Sequence, residues 1–110
     1  MSVNAILTGA LDSLLPTAAE LYKGDATEYI VFNATELPDD FADDDAQHYR
    51  YLVQVHLYTP YEKNTLAYRR EITRRLLASG FTRPTVTPAH DATGQHFVFD
   101  CEYAEAVDDG

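Results

Sequence analysis

Histidines and acidic residues are the side chains of this sequence whose types and spacing could do chemistry. His90, Asp91 and His96 place two imidazoles and a carboxylate within seven residues, which are donor types that zinc accepts. Short zinc sites usually have helical or Cys-x-x-Cys spacing, whereas these three flank Gly94 in a predicted loop. We therefore predict that they form a turn and that they bind no metal.

The acidic residues offer a second possible site. Asp39-Asp40 and Asp43-Asp44-Asp45 could chelate calcium or flank a glycosidic bond, but a calcium loop needs a glycine at its sharp turn and this stretch has none. His56 lies on the polar side of a predicted strand, where a cross-strand partner is favoured over a general base. The sequence has no phosphate loop, no nucleophile elbow and no recognisable Ser-His-Asp or Cys-His signature. We predict no catalytic residue, no cofactor and no enzyme.

Composition and charge set the class of protein. The 110 residues, 45% of them hydrophobic, can bury one core without staples, so residues 1–110 are predicted to form a single domain. The one cysteine, Cys101, excludes an internal disulfide framework and fits synthesis in a reducing cytoplasm. No run approaches the ~20 apolar residues that span a bilayer, so no membrane partner is predicted. The formal charge of -10 repels phosphate backbones, which disfavours nucleic acid as a tight partner.

The first part of the chain predicts one helix and a possible hairpin. Ser2 can cap a helix whose apolar residues repeat at i, i+3 and i+4, and Pro16 stops it. Residues 27–34 are β-branched and aromatic on both faces, which predicts an inner strand. A weaker extended stretch, residues 20–23, precedes the turn dipeptide Gly24-Asp25, so the pair could form a hairpin.

An acidic loop and a long strand follow. Residues 36–48 carry many acids around Pro38 and Phe41, a composition that disfavours regular structure, and we predict a solvated loop. Residues 50–57 alternate polar and apolar types with a period of two. This pattern predicts a long strand that is half buried on one face.

The last part of the chain predicts an amphipathic helix and a closing strand. Thr59-Pro60 combines a capping residue with a proline at the first helical position, so a helix is predicted from there to Gly80. Residues 84–94 contain prolines and a glycine that predict an irregular crossing. Residues 97–103 alternate as a closing strand, and residues 105–110 are predicted to fray.

These elements give the order α-β-β-β-α-β without an internal repeat. A chain with this order packs two helices on one sheet of about four strands, antiparallel or mixed. The predicted fold class is therefore α+β.

Charge is segregated between two of the predicted elements. Five of the eight basic residues fall on the second helix, namely Lys63, Arg69, Arg70, Arg74 and Arg75. Acids crowd the loop instead, with Asp39, Asp40, Asp43, Asp44 and Asp45. Both surfaces could be solvated faces that keep the protein soluble. The alternative is that the basic helix of one subunit meets the acidic loop of the next, a heterologous contact that can close into a ring.

Individual arginines make this interface hypothesis testable. Reversing Arg70 and Arg74 to Glu is predicted to weaken assembly while the subunit stays folded. Arg69 falls inside the apolar arc of the helix, so its stem is predicted to lie along the sheet edge while its head reaches a carboxylate or a partner. The candidate interface comprises Arg69, Arg70, Arg74, Arg75 and the five aspartates of the loop.

Four stretches of the sequence resemble one protein family. They are Tyr29-Ile30-Val31-Phe32-Asn33, Phe41-Ala42-Asp43-Asp44, Gln54-Val55-His56-Leu57-Tyr58 and Gly94-Gln95-His96-Phe97-Val98-Phe99. In these stretches and their order, the chain is similar from about Glu28 to Glu102 to tail-completion, or tail-terminator, proteins of long-tailed bacteriophages and prophages. None of the four stretches is catalytic in that family.

The resemblance implies a structural role in the virion. Such an α+β subunit, made in the bacterial cytoplasm, would assemble as a ring, typically a hexamer, on the head-proximal end of the tail tube. Its implied partners are other copies of itself, the tail tube protein and the head-tail connector protein. DNA would pass through the ring without specific binding, which suits an acidic chain. A head-completion or connector adaptor protein remains an alternative, as does a small regulatory domain that binds a ligand beneath its sheet.

Overall fold

The computed structural model of the protein describes residues 2–38 and 48–106. Over these residues the chain forms two helices and one five-stranded mixed sheet, which is the α+β fold expected from the sequence. The elements are α1 (Val3–Leu11), β1 (Thr17–Ala19), β2 (Tyr29–Pro38), β3 (His48–Thr59), α2 (Leu66–Ala78), β4 (Thr85–Pro88) and β5 (Gln95–Ala106). The strand order is β1-β2-β3-β5-β4. Strands β1 and β2 are parallel, and the other neighbours are antiparallel.

Helix α1 begins where the sequence predicts. The Oγ atom of Ser2 accepts a hydrogen bond of 3.1 Å from the amide of Ala5, which satisfies one of the free donors at the helix start. Val3, Leu7 and Leu11 recur every four residues and are buried, so the helix turns one apolar stripe toward the sheet.

The core lies between the two helices and one face of the sheet. Side chains alternate between the two faces of a strand, and in β3 and β5 the buried ones are at odd positions. They are Val53, Val55, Leu57, Thr59, Phe97, Phe99 and Cys101. Ile72 and Leu76 of α2 meet them from above, together with Leu7 of α1. The even positions lie on the other side of the sheet, which we call the open face because no described helix covers it.

The hairpin predicted over residues 20–34 is wrong. Strand β1 precedes that stretch and runs parallel to β2, with Thr17 opposite Ile30, so the chain must cross back before β2 begins. Glu20 follows β1 with a φ of 68°, a left-handed conformation in which a strand cannot continue. Gly24-Asp25 therefore lies within the crossover and does not join two antiparallel strands.

Helix α2 begins at Leu66, later than the Thr59-Pro60 signal predicts. The reason is the side chain of Gln95, which holds the segment before the helix. Its Nε2 atom lies 2.9, 3.2 and 2.7 Å from the carbonyl oxygens of Pro60, Tyr61 and Lys63. Carbonyls turned toward Gln95 do not accept from amides four residues later, as a helix requires. Asn64 supplies a cap instead, because its Oδ1 accepts from the amide of Leu66 at 3.0 Å.

Strand β4 lies inside the predicted irregular crossing of residues 84–94. It pairs with β5 at the edge of the sheet, with Thr85 opposite Asp100 and Pro88 opposite Phe97. All four of its residues are exposed, so they carry no alternating pattern from which a strand could be predicted. Proline is tolerated at such an edge position because no further strand needs its amide.

Strands β2, β3 and β5 continue beyond the core as a three-stranded extension, which we call the arm. It comprises residues 35–38, 48–52 and 102–106, and its ladder reaches Pro38 opposite Tyr49 and His48 opposite Ala106. None of the arm side chains that the structure describes is fully buried.

The arm corrects two predicted boundaries. Residues 36–38 and 48 belong to strands and not to the acidic loop, and residues 105–106 are paired in β5 where fraying was predicted. Strand pairing with β3 orders both stretches, because each backbone amide gains a partner there. The remainder of the predicted loop, residues 39–47, and of the predicted tail, residues 107–110, lies outside the described residues.

Candidate functional site

The loop that carries His90 and Asp91 is organised as a turn. Asp91 accepts hydrogen bonds from the amide and hydroxyl of Thr93 at 2.8 and 2.6 Å, and these bonds lower the pKa of its carboxyl group. His90 uses Nδ1 to accept from the amide of His96 at 3.0 Å. Among the residues that the structure describes, no three His, Cys, Asp or Glu side chains are grouped so that they could hold a metal ion.

His56 is a cross-strand partner, as its position in the alternating pattern predicts. Its Nδ1 atom lies 2.8 Å from Nε2 of His96 on the open face, so the two rings share one proton in a hydrogen bond. Its other ring nitrogen is 3.4 Å from the amide nitrogen of Asn33. Burial lowers the pKa of both imidazoles below 6.5; positive charge on His96 lowers that of His56 further, and Asp100 opposes this.

We expect the free energy of unfolding to decrease as pH falls below about 6.5. Because both pKa values are lowered in the folded state, the unfolded chain binds more protons as pH falls past the ordinary histidine value. The loss begins there and levels off once pH is below the folded-state values. Urea unfolding measured from about pH 5.5 to 7.5 should show the slope, and the double variant H56Q/H96Q should flatten it. An equally steep slope in that variant would contradict the assignment.

Aromatic rings stack in a row across the open face. The ring centroids of Tyr22 and Tyr29 are 4.4 Å apart, those of Tyr29 and Tyr58 are 5.0 Å apart, and those of Tyr58 and His96 are 4.3 Å apart. Cross-strand aromatic pairs of this kind stabilise a sheet. Three of the eight tyrosines thus brace the sheet surface.

Two of the four arginines proposed for the interface share one carboxylate. The Nε atoms of Arg74 and Arg75 donate to Glu71 at 3.1 and 2.8 Å, and the hydrogen bonds from the two arginines, together with their charges, lower the pKa of that carboxyl group to about 2. Arg75 also donates from Nη1 to the carbonyl of Ala10 at 3.1 Å and to Oγ of Ser13 at 2.8 Å. Arg75 therefore ties α2 to α1, whereas Arg74 stays at the surface.

The other two arginines differ in what they contact. The guanidinium carbon of Arg69 lies 4.7 Å from the centroid of the Phe97 ring, and its Nε donates to Oγ1 of Thr65 at 3.0 Å. Its stem follows the sheet as predicted, but within the described residues its head stacks on a ring and reaches no carboxylate. Arg70 is exposed and forms no ion pair with any residue that the structure describes.

Arg70 and Arg69 line a groove of about 460 Å³ between α2 and β4, which we call the α2–β4 groove. Its lining residues are Leu66, Arg69, Arg70, Thr73, Arg74, Leu77, Arg83 and Val86. Leu66, Leu77 and Val86 are 40%, 37% and 38% exposed, and no lining residue is acidic. The groove therefore combines apolar side chains with a cationic rim.

Sequence reasoning missed Arg83 and Val86 of this groove. Val86 lies in the segment predicted to be irregular, residues 84–94, and Arg83 lies just before it. No periodic signal relates either residue to α2. The chain reverses after α2 at Gly80, whose φ is 97°, and only this reversal and the pairing of β4 bring Arg83 beside the helix. The five aspartates of the hypothesis lie outside the described residues, in the segment that leaves the tip of the arm between Pro38 and His48.

Cys101 is unsuited to nucleophilic chemistry. It is 7% exposed in the core, and burial raises the pKa of its thiol to about 12, with Asp100 and Glu102 adding to the effect. A thiol that stays protonated attacks poorly, since the thiolate is the nucleophile.

Comparison with known proteins bears on the architecture. A solved structure whose name is a sequence identifier alone superposes on 98% of this chain and 95% of its own, with a TM-score of 0.66 and 13% sequence identity. The two chains share one fold. No protein-family model and no curated protein matches the sequence. No helix within the described residues is long and apolar enough to cross a membrane.

Proposed function

We propose that this protein is a tail-completion subunit of a long-tailed bacteriophage. In this role, copies of the chain form a ring at the head-proximal end of the tail tube, end the growth of the tube and join it to the head connector. The four stretches of sequence that resemble this family support the proposal, and so does the acidic net charge of -10, which lets DNA slide past without sticking.

The observation that carries the proposal is the arm. Three paired strands extend past the core, and Tyr51 and Tyr103 at the base of the arm pack against the core. Tyr49 and Leu52 point to opposite sides of the arm and are 42% and 43% exposed. The Cα atoms extend 52 Å along one axis and 23 and 22 Å along the others. Apolar side chains that are partly exposed on both faces of a protruding sheet are available for contact with a partner.

Polar contacts on the open face also favour a structural role. The amide of Gln54 donates to Asp100 at 3.0 Å, and Arg50 lies 3.6 Å from Glu102. These groups satisfy one another across the strands. A sheet braced in this way is suited to present a rigid surface.

Electron microscopy of tail tubes tests the proposal. Purified protein mixed with polymerising tail tube protein is expected to cap one end of each tube and to shorten the tubes. The variant Leu52→Glu should lose capping, because a charge replaces an apolar contact of the arm. The matched variant Leu21→Glu, at a residue 63% exposed away from the arm, should keep it.

Each other result of that experiment has a distinct meaning. Tubes that stay uncapped while the protein binds only portal-bearing heads would make it a connector adaptor. A wild-type chain that binds neither tubes nor heads would overturn a role in the tail. Equal capping by both leucine variants would remove the arm from the contact surface.

A further inference from the structure

We infer that the α2–β4 groove binds the acidic segment, residues 39–47, of a second copy of this chain. The inference rests on the self-assembly in the proposed function and assigns the two surfaces that meet. It also replaces part of the sequence hypothesis, because the structure gives Arg75 an internal role and adds Arg83 to the receptor.

The groove exposes two kinds of side chain that a partner could cover, apolar residues and arginines. Leu66 and Leu77 of α2 and Val86 of β4 leave more than a third of their side-chain surface exposed along it. On its rim, Arg70 and Arg83 form no ion pair with any residue in ranges 2–38 and 48–106. Burying these leucines and the valine requires an apolar partner, and desolvating the arginines requires carboxylates.

The acidic segment has the matching chemistry. Residues 39–47 read Asp-Asp-Phe-Ala-Asp-Asp-Asp-Ala-Gln, with five carboxylates, one aromatic side chain and no basic residue. Phe41 supplies an apolar anchor that fits between leucines, and the aspartates on both sides of it can pair with the rim arginines. The chain has a net charge of -10. A cationic groove on one copy is therefore complementary in charge to the acidic segment of another copy.

Within one chain, the tip of the arm lies far from Val86 of the groove. Pro38, where the segment leaves the sheet, is level with Glu105 of β5, whereas Val86 is level with Phe99. Six residues along the strands and three strand spacings separate Pro38 from Val86 by about 25 Å. Phe41 is three residues beyond Pro38, so its Cα lies within about 11 Å of that proline. The gap that remains to Val86 exceeds the length of a phenylalanine side chain, so a Phe41 that packs against Val86 belongs to another copy.

Contact between copies is therefore heterologous. The donor segment leaves the tip of the arm, and the receptor groove lies between α2 and β4, so one copy offers both surfaces at different places. A heterologous contact repeats from copy to copy and closes into a ring when the rotation permits. This is the geometry that a ring subunit needs.

Peptide binding tests the groove without requiring a ring. The receptor is the full chain with the substitutions F41A/D43N/D44N/D45N, which remove its donor and leave its grooves free. The probe is a fluorescent peptide of residues 36–48, titrated at low salt and followed by anisotropy. We expect binding that weakens as salt rises, and roughly tenfold or more weaker binding when R70E/R83E is added to the receptor, because like charges then face each other. The matched control K23E/K63E, which makes the same change in net charge at residues outside the groove lining, should leave the affinity unchanged.

Size measurement of the intact chain completes the test. The wild-type protein should form larger assemblies that R70E/R83E dissociates, and the added reversal D43R/D44R in the same chain should restore them. No peptide binding, or equal losses in R70E/R83E and K23E/K63E, would overturn the inference. Tube capping by a chain whose groove ignores the peptide would overturn the groove contact alone. Peptide binding by a chain that never caps tubes would overturn the tail role alone.

Discussion

Replacing Gly94 by alanine is expected to destabilise the fold by about 3 kcal/mol or more. A Cβ atom at this position would lie 2.6 Å from the carbonyl oxygen of Thr59. Neither atom could move away by a side-chain rotation, because one is attached to the backbone and the other is part of it. The φ of 158° adds strain for any L side chain. Relief would require β3 and β5 to separate at the point where Thr59 pairs with Gln95.

The consequence of that separation extends to α2. Gln95 holds the carbonyls of the segment before the helix, so a shift of Gln95 would release the segment that positions Leu66. Urea unfolding of Gly94→Ala against wild type measures the loss. The control is Gly9→Ala, a helical position with nothing within 4 Å of the added atom, which should gain about 0.5 to 1 kcal/mol. A Gly94 variant as stable as wild type would refute the close approach.

Replacing Arg75 by methionine is expected to cost about 1 to 3 kcal/mol of stability. Methionine keeps an apolar stem but leaves the carbonyl of Ala10 and the hydroxyl of Ser13 without their donor, at a site where the arginine side chain is 23% exposed. The bond to Ala10 joins α2 to α1, and the bond to Ser13 joins α2 to the turn after α1. Loss of these hydrogen bonds should therefore weaken the packing of α1 against α2 and lower the free energy of unfolding.

Arg74 provides the matched control, because it pairs with the same Glu71. Its side chain is 65% exposed, and Arg74→Met should cost no more than about 1 kcal/mol. Thermal and urea unfolding of the two variants decide between a structural and a surface role. Equal effects would show that the contacts of Arg75 with α1 contribute nothing.

Assembly should depend on Arg70 and Arg83 more than on Arg75, whereas stability should depend most on Arg75. Arg75 points to α1, so a folded Arg75 variant should still bind the peptide of residues 36–48. Arg70 and Arg83 are expected to contribute little to stability, so reversing their charges should affect peptide binding far more than the free energy of unfolding. This separation follows from where each guanidinium lies, since buried contacts stabilise the chain and rim charges act on partners.

Several elements were predictable from residues close together in the chain. The cap at Ser2 and the stripe through Leu7 define α1, and the alternation from Arg50 to Leu57 defines the centre of β3. In both cases one periodic pattern suffices, because the burial of one face dictates which side chains are apolar. The cross-strand role of His56 follows from the same alternation.

Other elements depended on contacts between distant residues. The start of α2 depends on Gln95, which binds carbonyls more than thirty positions earlier in the chain. Strand β4 exists because β5 offers it an edge, and β1 is parallel to β2 because Thr17 finds its register opposite Ile30. Local propensity carries no information on such pairings.

The sequence by itself determined the α+β class, the acidic net charge and the concentration of arginines on one helix. Only the tertiary structure decided which of those basic residues remain exposed at the surface. Arg75 donates a hydrogen bond to α1, and Arg69 stacks on Phe97. Arg83 lies beside Arg70 in the groove because the chain reverses at Gly80. The physical reason is that charge is a property of a residue, whereas exposure and pairing of that charge arise from the packing of distant segments.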